Sequence, residues 1–207
     1  MTRCYRELGD GDAAGRVFLQ LVKSDATDGQ FAAIPLAWQA TEKLTLSDRQ
    51  AREWLDAAGS SSANLIGASH LLASADAASA MSVLDRLTRD RDARIALLAE
   101  AQRWRVRQSG VAADELLRRR GTVERLARPL RAGPTFVFAQ SLAGAGKIDL
   151  AVAELLRIPI EHASERMLAE ASLTEAAGLL RSAERGEEAA EIERERDREY
   201  GATTPAK

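Results

Sequence analysis

Cysteine is almost missing from this 207-residue chain: Cys4 stands alone, which excludes an internal disulfide framework. A free cysteine of this kind reads as a small buried residue rather than a reactive thiol. Histidine is nearly as scarce. His70 and His162 are the two, and neither has a cysteine or second histidine at ligand spacing, so neither metal nor cofactor is expected. Aromatic residues make up 4%, Val and Ile are sparse, and no stretch alternates between apolar and polar, so strands lack raw material. No run approaches the roughly 18 apolar residues of a membrane-spanning helix. The N-terminus also lacks the basic, apolar and small order of a secretory signal. A soluble, cytoplasmic protein is the default expectation. A formal net charge of −2 demands no polyanionic or polycationic partner.

What the chain has is alanine and leucine, which dominate a 45% hydrophobic content and favour helix. Ala13, Ala14, Val17, Phe18, Leu21 and Val22 form the i, i+4, i+8 stripe of an amphipathic helix over 12–24. A further helix is expected across 31–44. Ser47-Asp48-Arg49-Gln50 is a capping box opening a helix that runs to Ala58. Helices follow at 61–74, 76–89 and 92–108, and Gly110 and Gly121 punctuate 111–128. Gly133-Pro134 starts the next, which runs to Ala143. One capped by Asp149 stops near Pro159, and two more cover 161–184 and 187–200.

The stretch Ser141-Leu142-Ala143-Gly144-Ala145-Gly146-Lys147-Ile148 invites a phosphate-loop reading. That loop needs a glycine where Ser141 stands and a magnesium-binding hydroxyl where Ile148 stands. Both positions fail. The stretch reads instead as a hairpin corner. Gly144 and Gly146 relax the turn, Asp149 caps the second helix, and Ala151 packs against the first.

Spacing around three such corners recurs. Tyr5 precedes Ala14 by nine residues, and Phe18 follows four later; Leu142, Ala151 and Leu155 repeat that interval. Arg181, Ala190 and Arg194 repeat it again. Ala139 stands three residues before Leu142, and Gly178 three before Arg181. This pattern resembles the tetratricopeptide repeat, in which a large residue on the first helix precedes an alanine on the second. The alanine lies where the two helices approach most closely, and the large residues fill the groove to the next hairpin. Tyr5 and Leu142 are 137 residues apart, close to four periods of about 34; the step from 142 to 181 is longer. The resemblance is clearest over 1–26, 134–159 and 161–200. Residues 27–130 read as helical without the signature, and armadillo- or HEAT-type hairpins stay open.

The resemblance implies an all-α fold of stacked antiparallel hairpins. These would form one right-handed α-solenoid over 1–200, with a frayed tail at 201–207. It also implies a non-catalytic scaffold that holds a partner peptide or helix of another protein in its concave groove, with Gln140, Glu170 and Glu175 as groove candidates. The family's carboxylate clamp uses Asn, Lys and Arg on first helices. The one asparagine, Asn64, and the four lysines do not match it. The first hairpin begins in mid-helix, as expected for the C-terminal part of a longer solenoid, in which case a signal, an anchor or a catalytic module would lie upstream.

The segment 103–131 is rich in arginine: Arg103, Arg105, Arg107, Arg118, Arg119, Arg120, Arg125, Arg128 and Arg131 oppose Asp114, Glu115 and Glu124. Such a band offers an alternative role, binding nucleic acid or an acidic partner. Interleaved aromatics are lacking apart from Trp104, so the arginines are read as solvated and paired with acids on several helix faces. The run at 184–200 is likewise read as an exposed helix laced with ion pairs. Trp38, Trp54 and Trp104 are read as packing residues. Scattered Asp and Glu give no catalytic pair with identifiable spacing.

Overall fold

The computed structural model describes Trp38, residues 47–106 and residues 109–201. Cys4, Tyr5, Ala14, Phe18, Arg107, the hairpin 1–26 and the segment 202–207 lie outside the described residues. Among the described residues the fold is all-α, with no strand. The described residues form nine α-helices in turn: α1 Asp48–Leu55, α2 Ser61–Leu71, α3 Ala77–Leu87, α4 Ala93–Arg103, α5 Ala113–Arg125, α6 Ala132–Gly144, α7 Ile148–Glu161, α8 Arg166–Ser182 and α9 Gly186–Tyr200. Short 3-10 segments occupy Trp104–Val106 and Arg128–Leu130. The helices fall into two compact units divided between Arg103 and Trp104.

In the first unit, α1 opens with the capping box its sequence encodes. The Ser47 hydroxyl accepts from the Gln50 amide at 3.3 Å, and the Gln50 side chain accepts from the Ser47 amide at 3.0 Å. Helix α2 is the centre of this unit, packed by α1, α3 and α4, and every residue from Ser62 to Leu71 is buried. A helix covered on all sides must carry small residues where neighbours come closest. Gly67 is that residue: a Cβ there would lie 2.5 Å from the Ala51 carbonyl oxygen and 2.6 Å from the Leu55 nitrogen.

In the second unit each helix folds back on the one before it, and α6 also touches α8. The core joins Ala139, Val152, Leu155, Ala176, Ala177, Leu180 and Ala189, with Phe136, Ile148, Leu156, Leu179 and Ile192 packed at its edge. Trp54 and Trp104 are buried, each in its own unit.

Several boundaries differ from the sequence-based expectation. Helices α2, α3, α4 and α5 end earlier, at Leu71, Leu87, Arg103 and Arg125, and α1 stops at Leu55 rather than Ala58. Gly121 lies inside α5 instead of breaking it. Helix α7 runs through Pro159 to Glu161. A proline in a last turn removes one amide donor without stopping the helix, and His162 N–H still donates to the Ile158 carbonyl at 2.8 Å. Asp149 is not the cap of α7, which begins at Ile148 without a side-chain cap. It lies in the first turn, where a carboxylate favours the helix dipole, and accepts from Arg185 of the α8–α9 corner.

Candidate functional site

The corner between α6 and α7 decides the phosphate-loop question. A phosphate cradle needs backbone amides pointing at a ligand after a strand. Here a helix precedes the turn and the amides are spent internally. The Gly146 amide donates to the Ala143 carbonyl and the Lys147 amide to the Leu142 carbonyl, each at 2.9 Å. Gly146 has φ +72°, the left-handed residue of a Schellman-type helix end.

The next corner repeats this geometry with different residues. The Arg185 amide donates to the Leu180 carbonyl at 2.9 Å, and Glu184 takes the left-handed position with φ 61°. Leu142, Gly146 and Lys147 therefore correspond to Leu180, Glu184 and Arg185, a shift of 38 residues. Ala139, Leu142 and Ala151 correspond in the same way to Ala177, Leu180 and Ala189, and all six are buried. Gly178, Arg181 and Ala190, which the sequence spacing selected for packing, are exposed. Gly186 is the first residue of α9 and Glu184 holds the left-handed position, so the buried register lies one residue before the spacing of Leu142 and Arg181. Leu155 packs in the core, whereas Arg194 is exposed.

Of the three groove candidates, two meet. The Gln140 amide on α6 donates to a Glu175 carboxylate oxygen on α8 at 3.0 Å. Both are half-buried. Burial raises the Glu175 pKa above the ordinary carboxylate range, and the Gln140 hydrogen bond opposes this only in part. Glu170 faces elsewhere. Five residues along a helix turn it about 140° from Glu175, toward α9, where it bears electrostatically on Arg196 and Tyr200.

Most described arginines of the 103–131 band have partners within their own unit. Arg103 belongs to the first unit and pairs with Asp85 at 2.7 Å. In the second unit Arg118 pairs with Glu115 and Asp114, and Arg120 pairs with Glu124 at 3.0 Å. Arg125 caps its own helix through the Gly121 carbonyl and the Thr122 hydroxyl. Arg131 donates to the Leu126 and Glu124 carbonyls. Burial draws Arg105 below the ordinary guanidinium range. Arg119 is buried: its Nη1 lies 2.6 Å from the Ser141 hydroxyl, its Nε 3.1 Å from Glu115, and its guanidinium 5.3 Å from the Trp104 ring centroid. Burial pushes Glu115 up, but hydrogen bonds from Arg118 and Arg119 outweigh it and hold the carboxyl below its ordinary range.

Among the described residues, no group of His, Cys, Asp and Glu side chains is placed to hold a metal ion. His70 is packed inside the first unit with Nε2 3.3 Å from Asp48, and His162 is buried at the end of α7. No helix of the described residues is long and apolar enough to cross a membrane. No family model matches this chain, and no curated protein or solved structure matches it.

Proposed function

We propose that this chain is a non-catalytic protein–protein interaction scaffold. In this reading its degenerate tetratricopeptide-like hairpins stack as a right-handed α-solenoid and hold a partner peptide or helix along their first helices. The observation that carries it is the 38-residue recurrence of the α6–α7 corner at α8–α9, with Ala139, Leu142 and Ala151 answered by Ala177, Leu180 and Ala189. Small residues at matching positions let each helix pair close tightly, and contact between α6 and α8 is what stacked first helices produce. The period exceeds the family's roughly 34 residues, and α8, with 17 residues against 13 in α6, absorbs part of the excess.

Gln140 and Glu175 then form the polar floor on which the partner lies. A half-buried carboxylate favours a partner segment bearing Lys or Arg. The test is site-specific photo-cross-linking in the source cell. A photoreactive residue at Gln140 should capture a discrete partner, while the same residue at Ala153, exposed on the second helix α7, should not. Equal capture at both positions, or none at Gln140, would remove the groove reading.

A further inference from the structure

A polar cavity of about 400 Å³ in the first unit is lined by Ser61, Asn64, Arg86, Leu87, Arg89, Asp90 and Arg91. It lies where the first turn of α2 meets the end of α3 and the loop to α4. Three arginines of this unit pair with acids: Arg52 with Asp76, Arg94 with Asp92 and Arg103 with Asp85. Arg86, Arg89 and Arg91 differ. Among the described residues none of the three has a carboxylate partner, and all three are exposed.

Asp90, the one acid in the lining, is committed to building the loop. One of its oxygens accepts from the Ser61 hydroxyl at 2.5 Å and the other from the Asp92 amide at 2.8 Å. Arg86 is held at one edge, where Nη2 donates to Asn64 Oδ1 at 3.4 Å. Asn64 is itself fixed, because its amide donates to the Trp54, Leu55 and Ala57 carbonyls at the end of α1. The floor is therefore tied by hydrogen bonds, and among the described residues no carboxylate pairs with the guanidiniums of the rim. Three guanidiniums against one carboxylate leave the lining with a formal charge of +2, and the amino end of α2 adds a fractional positive charge.

We infer that this cavity binds a phosphate monoester. A monoester dianion carries about −1.5 to −2 charge at neutral pH, which matches the lining, whereas a single carboxylate leaves half of it unbalanced. Guanidinium forks suit phosphate oxygens bidentately. The volume falls within the roughly 300–1,000 Å³ of small-ligand sites and accommodates the group that carries the phosphate as well as the phosphate itself. This site is independent of the groove on α6 and α8, and its test does not depend on the scaffold reading.

The full chain is titrated with glycerol phosphate and with a short phosphoserine peptide, following Ser61 amide and arginine Nε–Hε resonances by NMR. Saturable shifts confined to the cavity are expected from at least one of them, and the tighter of the two identifies the source as a small metabolite or a phosphorylated side chain. The double variant Arg89→Gln, Arg91→Gln should weaken binding at least about tenfold, given the worth of charge-assisted hydrogen bonds. Arg49→Gln, on α1 away from the lining, should leave it unchanged. Both double-variant positions are exposed, so thermal melting of that variant should match the parent. Shifts that never saturate, equal shifts from glutarate, or unchanged affinity in the double variant would each overturn the assignment.

Discussion

Arg119 on α5 is locked to Ser141 on α6 by a 2.6 Å hydrogen bond from Nη1 to the hydroxyl, with both side chains buried. The same hydroxyl donates to the Val137 carbonyl at 2.9 Å, so Ser141 joins the guanidinium to the backbone of its own helix. The position where a phosphate loop would require glycine thus carries a residue that ties two helices together.

Arg119→Met should therefore destabilise the second unit. Loss of a hydrogen bond from a charged donor costs about 1.5–3 kcal/mol. Arg119→Lys should recover little of this, because a single ammonium does not reproduce the guanidinium fork that bonds Ser141 and Glu115 together. Urea denaturation of both variants measures it. Arg120→Met, removing an exposed pair with Glu124, is the control and should change stability by less than about 1 kcal/mol.

Gly67 and Gly178, two helical glycines with opposite surroundings, give a paired prediction. At Gly67 a methyl would strike the α1 backbone, which cannot swing aside as a side chain could. Gly67→Ala should cost about 1–3 kcal/mol, the usual range for overpacking. Gly178 is exposed inside α8 with open space around it. Gly178→Ala should stabilise by roughly 0.5–1 kcal/mol, since alanine restricts the unfolded chain and favours helix. Thermal melting of the two variants should move in opposite directions.

The helical class was legible in the sequence because composition fixes it: alanine and leucine without β-branched alternation leave strands nothing to build on. The Ser47–Gln50 box was legible for the same local reason, since both halves of its hydrogen-bond exchange lie within four residues. The register of the last hairpin was not. Glycine is the usual left-handed residue at a helix end, and nothing local marks Glu184 for that conformation; tertiary packing of Leu180 and Ala189 imposes it. The meeting of Gln140 and Glu175 was half visible, as both were singled out but their contact depends on how α6 and α8 pack. The cavity of the first unit went unseen because its lining comes from two segments, Ser61–Asn64 and Arg86–Arg91, whose proximity needs the fold. Its one local trace is the run Arg86-Leu87-Thr88-Arg89-Asp90-Arg91, where three arginines surround a single acid.

Two groups give stability an opposite dependence on pH. Burial raises the Glu175 pKa, so the fold favours the protonated acid. That contribution is complete below the unfolded value and is lost as pH rises through the folded one. Glu175→Gln should therefore raise the melting temperature at pH 7 and give no gain at pH 4. Burial lowers the His162 pKa against the opposing Glu161 charge, with smaller contributions in the same direction from Arg128, Arg157 and Arg131. The fold favours the neutral ring, a contribution present above the unfolded value near 6.5 and lost as pH falls through the folded one. His162→Gln should flatten the decline in melting temperature between pH 7.5 and pH 5. A parallel decline in parent and variant would show that other groups dominate it.

The register of the repeat can be tested residue by residue, because adjacent alanines predict opposite outcomes. Ala189 faces the core beside Ala177 and Leu180, while Ala190 is exposed. Ala189→Leu adds three carbons where two helices nearly touch and should cost about 1–3 kcal/mol. Ala190→Leu places the same side chain in solvent and should stay within about 0.5 kcal/mol of the parent. Ala151→Leu, 38 residues before Ala189 and fully buried, should behave like Ala189→Leu. Lys147→Ala, at the α6–α7 corner, should be silent with or without ATP, because the amides around it are already bonded to carbonyls of α6. Chemical denaturation of the four variants reads the alignment directly. If Ala190→Leu proved costly and Ala189→Leu neutral, the 38-residue correspondence would give way to the 39-residue spacing of Leu142 and Arg181.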